Sequence, residues 1–168
     1  MPKVVIKLGD DISTDVIYPG RYMATVLPSE TSQFAFADLT EFNTMLNAKQ
    51  IAPESIVMGG ENFGCGSSRE QAVSTLKGYE LVIIAKSFAR IFLQNAINLG
   101  LRVIEVPGIE AHEGDEFEIS PNSVTNKTTG KTFPIVQLPK ARQAIIDAGG
   151  LIAYTRKRLL YEMSTEQN

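Results

Sequence analysis

Three observations predict an α/β fold with a parallel β-α-β-α-β core. Between Ser55 and Val106, short apolar runs alternate with helical patterns. Leu81-Val82-Ile83-Ile84-Ala85 is continuously apolar, as in a strand covered on both faces. Gly78 and Gly100 each stand where the preceding helical pattern stops. At 168 residues the simplest organisation is one domain over 1–168, long enough to bury a core. Residues 162–168 read as a frayed polar tail.

Lys3 to Leu8 alternates and is rich in β-branched residues, so a strand opens the chain. Gly9 to Asp15 is a polar loop carrying Asp10, Asp11 and Asp15. The apolar run Val16-Ile17-Tyr18 stops at the turn signal Pro19-Gly20. Arg21 to Pro28, with Tyr22, Met23, Val26 and Leu27, has no clear period and reads as an apolar loop. Asp38 is placed to cap a helix that shows Leu39, Phe42 and Leu46 on one face. Strand 55–58 then leads to a helix over 68–77 and the apolar strand 81–85. Ser87 is expected to cap a helix from Phe88 to Leu99, with Phe88, Ile91, Phe92, Ala96 and Leu99 inward. Leu101 to Val106 is the next strand, stopped by Pro107-Gly108. Phe117 to Ser120 and Thr132 to Val136 suggest an antiparallel hairpin turning at Asn126 to Gly130, with Pro134 favouring an edge. Helices over Ala141–Ala148 and Leu151–Glu162 finish the pattern, the second with a basic patch at Arg156-Lys157-Arg158.

One stretch in this frame carries chemistry. Gly59 to Glu70, GGENFGCGSSRE, joins the end of strand 55–58 to the start of the next helix. Ligands on parallel sheets bind outside the carboxyl ends of strands, where this loop lies. Its four glycines permit backbone angles and close approaches that a Cβ blocks. Ser67 and Glu70 have the spacing of a capping box. The first amides of a helix lack internal partners and carry the positive end of its dipole. Arg69 is a cation near that positive end, an unfavourable place unless an anion sits there. Two serines, an arginine and four glycines in one turn are more than a helix cap needs, and the loop reads as an anion cradle.

Composition removes several classes of function. A net charge of −3, with no aromatic-interleaved basic stripe, gives no electrostatic case for nucleic acid. The longest apolar runs are too short to span a membrane. Met1 to Ile6 enters a strand pattern without a signal-peptide layout, so the cytoplasm is the expectation. One cysteine, Cys65, excludes an internal disulfide. One histidine, His112, and one cysteine are too few for a zinc or iron–sulfur site built by this chain alone, so no metal is expected on it. Gly64-Cys65-Gly66 lacks the third glycine of a dinucleotide fingerprint, and Gly130-Lys131-Thr132 sits in a hairpin with Thr125 at the first P-loop glycine position. His112, between acidic residues, reads as a solvated loop residue. Cys65 without a histidine base reads as a small residue filling a tight loop, though its role stays open. By residue type alone, a plain cap is the commoner use of a serine at Ser67, and an aspartate such as Asp15 often satisfies loop amides.

Three separated motifs resemble a known family. They are Gly60 to Glu70, then Ala85-Lys86-Ser87-Phe88-Ala89-Arg90-Ile91-Phe92, and Asn95-Ala96-Ile97-Asn98-Leu99-Gly100. Together with Gly9 to Ile17 and Pro19-Gly20-Arg21-Tyr22, they are similar to the small subunits of 3-isopropylmalate dehydratases. These are the separate-chain form of the swivelling fourth domain of aconitases. The match runs from about Gly9 to Val106, and Gly149-Gly150-Leu151-Ile152 is consistent with it. Gln71 departs from the histidine frequent there in the family.

The resemblance implies a swivelling β/β/α-type domain and a hydro-lyase subunit active only with a large subunit. Ser67 would take and return the proton on the carbon beside a carboxylate. Arg69 would hold the substrate carboxylate, Asp15 would orient active-site groups, and Thr14, Gly66 and Ser68 would assist binding. The partner large subunit would bring the [4Fe-4S] cluster whose open iron accepts the leaving hydroxyl. The substrate would be a small hydroxy-dicarboxylic acid. Aconitases place an arginine for a third carboxylate about twelve positions after the aspartate, where this chain has Leu27, with Met23 and Val26 near it. An apolar wall penalises a carboxylate and favours a branched alkyl group by about 1–3 kcal/mol. Isopropylmalate is therefore the first expectation, with dimethylmalate, citramalate or homoaconitate as alternatives. A free-standing anion-binding module is the non-enzymatic alternative.

Overall fold

Four parallel strands form the spine of the structure, a computed structural model that describes residues 1–166. They are β1 (Val4–Lys7), β2 (Ile56–Met58), β3 (Val82–Ala85) and β4 (Val103–Glu105), in that spatial order. The crossovers are α4 (Glu70–Gly78) and α5 (Arg90–Leu99), as the alternation of patterns predicts. Before them, the chain from β1 passes through α1 (Thr14–Ile17), a 3-10 turn (Gly20–Tyr22), α2 (Pro28–Thr31), a second 3-10 turn (Ser32–Phe34) and α3 (Thr40–Asn47). After β4 come β5 (Phe117–Ile119), β6 (Ser123–Asn126) and β7 (Thr132–Pro134), and then α6 (Lys140–Asp147) and α7 (Leu151–Glu166).

Alternation along the central strands divides the core in two. Val57, Ile83 and Ala85 pack with Leu76, Phe92 and Ala96 of the helical layer. Ile56, Met58, Val82 and Ile84 pack on the opposite face with Phe117, Val124 and Phe133 of the small sheet. All four residues of β3 are buried, as its unbroken apolar run predicts. The result is three layers: helices, parallel sheet, antiparallel sheet.

Several local expectations change. The hairpin is a three-stranded antiparallel sheet, because β6 intervenes between β5 and β7. In β6 only Val124 carries an apolar signal among Ser123, Thr125 and Asn126, which hid the strand. Pro134 does lie on an edge strand. Three expected helix caps do not form. Asp38 pairs with Arg21 at 2.5 Å, and Leu39 takes the N-cap position of α3. Ser87 accepts from the Asn62 amide at 2.8 Å, while Ala89 takes the N-cap of α5. Ser67 and Glu70 form no capping box, since α4 begins at Glu70 behind Arg69. Ile91 is exposed and Ile97 is buried in its stead. Gly78 lies inside α4, whereas Gly100 closes α5 at φ 76° against Gly149. The run at Val16 belongs to a short helix that Ser13 caps, and Pro28 begins one where a loop is expected. α7 continues to Glu166, past the start of the expected tail, whose last two residues lie outside those described. Among the described residues, no helix is long and apolar enough to cross a membrane.

The small sheet is tied to β1 through a buried polar pair. The Asp115 carboxylate accepts from the His112 amide at 2.9 Å and from Asn126 Nδ2 at 2.8 Å. The Asp115 carbonyl accepts from the Val4 amide. Asn126 Oδ1 in turn accepts from the Thr128 and Thr129 amides, which shapes the turn into β7. These donors favour the charged form, led by the His112 amide, and lower the Asp115 pKa below its ordinary 3.8. A depressed native pKa contributes stability that is full above 3.8 and lost as pH falls through the native value. Asp115→Asn is expected to lower stability at pH 7 and to flatten the acid limb of thermal unfolding. An acid limb as steep as that of the unsubstituted chain, by melts across pH 2–6, would refute the assignment.

Candidate active site

The site is assembled by two loops that leave the carboxyl ends of neighbouring strands, β1 and β2. Their backbones run side by side. Asp11 N donates to Glu61 O at 2.8 Å, Gly64 N to Ile12 O at 2.7 Å, and Thr14 N to Cys65 O at 2.8 Å. Ser13 and Cys65 pair as an isolated parallel bridge. Side chains reinforce this pairing: Asp10 Oδ1 accepts from the Glu61 amide at 2.7 Å, and Asn62 Nδ2 donates to Asp11 Oδ1 at 3.0 Å. Two of the three aspartates in the first loop are therefore spent on loop geometry. The third is not.

Asp15 faces Arg69. Its Oδ1 lies 2.6 Å from Arg69 Nη1 and accepts from the Gly20 amide at 2.8 Å. The same Nη1 donates to the Tyr18 carbonyl at 3.1 Å. The guanidinium first, and the Gly20 amide second, hold the Asp15 carboxyl below its usual pKa. The Asp15 side chain is 63% exposed and that of Arg69 19%, so water screens the pair and its effect is orientation more than stability. The sequence offered an unknown anion for Arg69, and this internal carboxylate is the anion present. Tyr18 and Gly20 were missed; Gly20 read only as a turn. A Cβ on Gly20 would stand 3.0 Å from Arg69 Nη2 and 3.3 Å from Asp15 Oδ1.

Ser67 is exposed, and its hydroxyl does not cap α4. Instead Arg69 N donates to the Ser67 carbonyl at 2.9 Å, a tight turn that places α4 beyond the serine. Thr14, a buried residue, donates from Oγ1 to the same carbonyl at 2.9 Å and stands 3.4 Å from Ser67 Oγ. Gly66 adopts φ 94° within reach of Thr14 and Ser13. Thr14, Asp15, Gly66, Ser67 and Arg69 are thus brought together, with Ser68 exposed beside them. Met23, Val26 and Leu27 follow Gly20 on the next segment and are exposed, Leu27 by 56%. That segment is held by Tyr18, whose hydroxyl donates to the Tyr22 carbonyl at 2.8 Å, and by Tyr22 stacked on Phe34 at 4.0 Å.

The floor is aromatic. Phe63 is fully buried, edge-on to Phe92 at 5.4 Å and to Phe88 at 6.0 Å. Cys65 is a free thiol of intermediate exposure. Among the described residues, no group of three or more His, Cys, Asp or Glu side chains is placed to hold a metal ion. One cysteine and one histidine in the whole sequence do not fit the donor set of an iron–sulfur cluster.

With this geometry in view, the likenesses are specific. Residues 21–108 match the aconitase C-terminal domain family. A 3-isopropylmalate dehydratase small subunit of Methanosarcina mazei is 45% identical over 156 residues, 90% of this chain and 93% of the relative. The chain belongs to the 3-isopropylmalate dehydratase small-subunit family. An isopropylmalate/citramalate isomerase small subunit of Methanocaldococcus jannaschii is 42% identical over 161 residues, 92% of this chain and 93% of the relative. A crystal structure of 3-isopropylmalate dehydratase from the same organism superposes with TM-score 0.87 at 38% identity, covering 97% of both chains. The name "small subunit" implies a large partner subunit in this family.

The loop pairing leaves no room at Gly64. Its φ is 84°, and a Cβ there would fall 2.2 Å from Phe92 Cγ. Gly64→Ala is expected to cost about 2–4 kcal/mol, from left-handed strain plus overpacking. Denaturant unfolding with a loss under about 0.5 kcal/mol would show that the loop is not seated as described.

Proposed function

We propose that this chain is the small subunit of a hydro-lyase that interconverts 2- and 3-isopropylmalate by dehydration and rehydration, a step of leucine biosynthesis. The observation that carries the reading is the pairing of an uncapped, exposed Ser67 with an Arg69 already oriented by Asp15. Arg69 would bind the carboxylate next to the carbon that loses its proton. Its two hydrogen bonds to protein run through Nη1, so Nη2 is the amine offered to the substrate. Charge that builds on the carboxylate oxygens as the proton leaves is absorbed there, by a charge-assisted hydrogen bond. Ser67, as its alkoxide, would take that proton and later return one. Thr14 fixes the turn that carries Ser67, and Ser68 and Gly66 would contact the bound acid.

The neighbouring carbon must lose hydroxide, so that a proton and a hydroxide together leave as water. Rehydration with the positions exchanged gives the isomer. Among the described residues no group of side chains is placed to hold a metal that could take up hydroxide, and the [4Fe-4S] cluster expected in the family would belong to the large subunit. The Met23–Leu27 segment would receive the alkyl group of the substrate. Its apolar side chains support isopropylmalate over a tricarboxylate, since an unpaired carboxylate against them is costly. Citramalate, which the name of one archaeal relative includes, is the substrate to compare.

Reconstitution of the chain with a cluster-bearing large subunit tests the assignment. Ser67→Ala should reduce turnover about 10³-fold with the assembly intact by gel filtration. Arg69→Lys should reduce kcat/KM by about 10- to 100-fold, because an ammonium cannot reproduce the fork. Near-normal turnover in Ser67→Ala would remove the serine from the mechanism.

Selectivity is tested separately. Leu27→Arg should move preference from isopropylmalate toward a tricarboxylate such as homoaconitate, measured as the ratio of kcat/KM values. An unchanged ratio would place the alkyl pocket elsewhere.

A further inference from the structure

The open edge of the parallel sheet is a part of the molecule that the site does not use. β4 comes last in the spatial order, so one side of it has no strand neighbour. On its other side, Ile83 N donates to Arg102 O at 3.0 Å, and Val106 N donates to Ala85 O at 2.8 Å. Residues 102, 104 and 106 therefore face β3, while the amides and carbonyls of Val103 and Glu105 face the edge. The Glu105 carbonyl is taken: Val136 N donates to it at 2.9 Å, where the segment after β7 crosses the edge. Among the described residues, no group hydrogen-bonds the Val103 amide, the Val103 carbonyl or the Glu105 amide.

The edge forms one wall of a cleft of about 420 Å³, inside the range of roughly 300–1,000 Å³ usual for small-ligand sites. Phe88, Leu93, Leu138 and Ile146 line it from the helical layer, and Ile119 and Ile135 from the small sheet. Gln137 fixes the rim, with its Nε2 donating to the Pro121 carbonyl at 2.8 Å and to Asn122 Oδ1 at 3.1 Å. None of Thr14, Asp15, Ser67 and Arg69 lines this cleft. Val103 is only 7% exposed, so water reaches its backbone poorly, and a buried amide or carbonyl without a partner is costly. The cleft is thus apolar in its walls and unsatisfied along one strand edge.

We propose that this edge binds one free α-amino acid with a branched apolar side chain. A residue added to a parallel strand opposite Ile104 donates to the carbonyl of Val103 and accepts from the amide of Glu105. A free amino acid carries that donor and that acceptor as its ammonium and carboxylate, held one residue apart. Its side chain then falls on the face of Ile104, where Ile119 and Ile135 are half-buried. Length decides against a longer strand. Val136 closes the ladder at the Glu105 carbonyl, so the open stretch between Val103 and Glu105 is one residue long. Charge decides against a simple anion. Arg102, Glu105 and Asp147 all line the cleft, and one cation with two carboxylates suits a ligand that carries both signs. The inference does not rest on the proposed function.

Amide NMR of the full chain, titrated with L-leucine, reads the contact directly. The Glu105 amide proton should shift downfield and saturate with a Kd on the order of 0.1–1 mM, as suits a ligand of few atoms. Its hydrogen exchange should slow by about 10-fold or more. 4-Methylpentanoate, which lacks the ammonium, and 3-methylbutylamine, which lacks the carboxylate, should each bind about 10-fold more weakly or worse. Glycine should do the same for want of a side chain. Ile119→Glu sets a carboxylate where the branch lies and should also weaken leucine about 10-fold, in a chain whose spectrum shows it folded. The absence of a saturable shift at Glu105 up to about 20 mM leucine overturns the proposal. So does either analogue binding as tightly as leucine. Leucyl-leucine binding more tightly than leucine also overturns it, and assigns the edge to a chain segment instead. If Ile119→Glu does not fold, the analogue series on the unsubstituted chain decides alone.

Discussion

The backbone seam between the loops after β1 and β2 is the constraint from which the rest of the site follows. The two strands are parallel neighbours, so both loops emerge at the same edge of the sheet. Four backbone hydrogen bonds, from Gly60 N to Gly9 O out to Thr14 N to Cys65 O, then continue their pairing beyond the last strand residue. Thr14 meets Ser67 and Asp15 meets Arg69, across separations of 53 and 54 residues, because the backbones are already in register. Glycine is required where this pairing is tightest. At Gly60 a Cβ would fall 2.0 Å from Asp10 Oδ1, and at Gly64 it would enter the Phe92 ring. The seam is held by main-chain groups whose geometry varies little, and this is how flexible side chains gain a fixed relation.

Electrostatics adds orientation on that frame. A half-exposed ion pair contributes little to folding, so the Asp15–Arg69 contact is better understood as pre-organisation. One amine of the guanidinium is committed to Asp15 and the Tyr18 carbonyl. The planar group then has a defined rotation, and in the proposed function an arriving carboxylate would not have to order it. The same carboxylate accepts from the Gly20 amide and so sets where the apolar segment 21–27 departs. In the proposed function, anion binding and alkyl recognition would be coupled through this one aspartate.

Periodicity made the frame legible. The parallel core, the buried β3 and the closure of α5 by Gly100 all follow from apolar runs and glycine punctuation, since packing on both faces leaves such strands little choice of residue. Elements with weak apolar content were not legible. β6 buries Val124 and Asn126, and a buried asparagine has no sequence signal until its partner Asp115 is known. Helix starts were misread for one shared reason. Asp38, Ser67 and Ser87 have capping chemistry, but each side chain meets a tertiary neighbour instead, namely Arg21, Thr14 and the Asn62 amide. Local rules rank local partners only, and a site is where distant ones prevail. Ser67, Arg69 and Asp15 could still be named from the motif resemblance, whereas Tyr18 and Gly20 could not. They act through a carbonyl and an amide, and every residue has an amide or a carbonyl to offer.

The exposure of Ser67 has a physical consequence for the proposed chemistry. In water, a guanidinium and a few amides stabilise an alkoxide only weakly, because solvent divides their Coulomb energy by its high dielectric constant. The same groups become effective in a closed site, where their dipoles are fixed and water is absent. This chain orients the donors but does not bury them. A second body that covers the glycine loop would therefore do two things at once: bring the group that takes up hydroxide and lower the dielectric around Ser67. On that argument the isolated chain would be inactive as the proposed proton acceptor for reasons of solvation alone, even with its side chains in place.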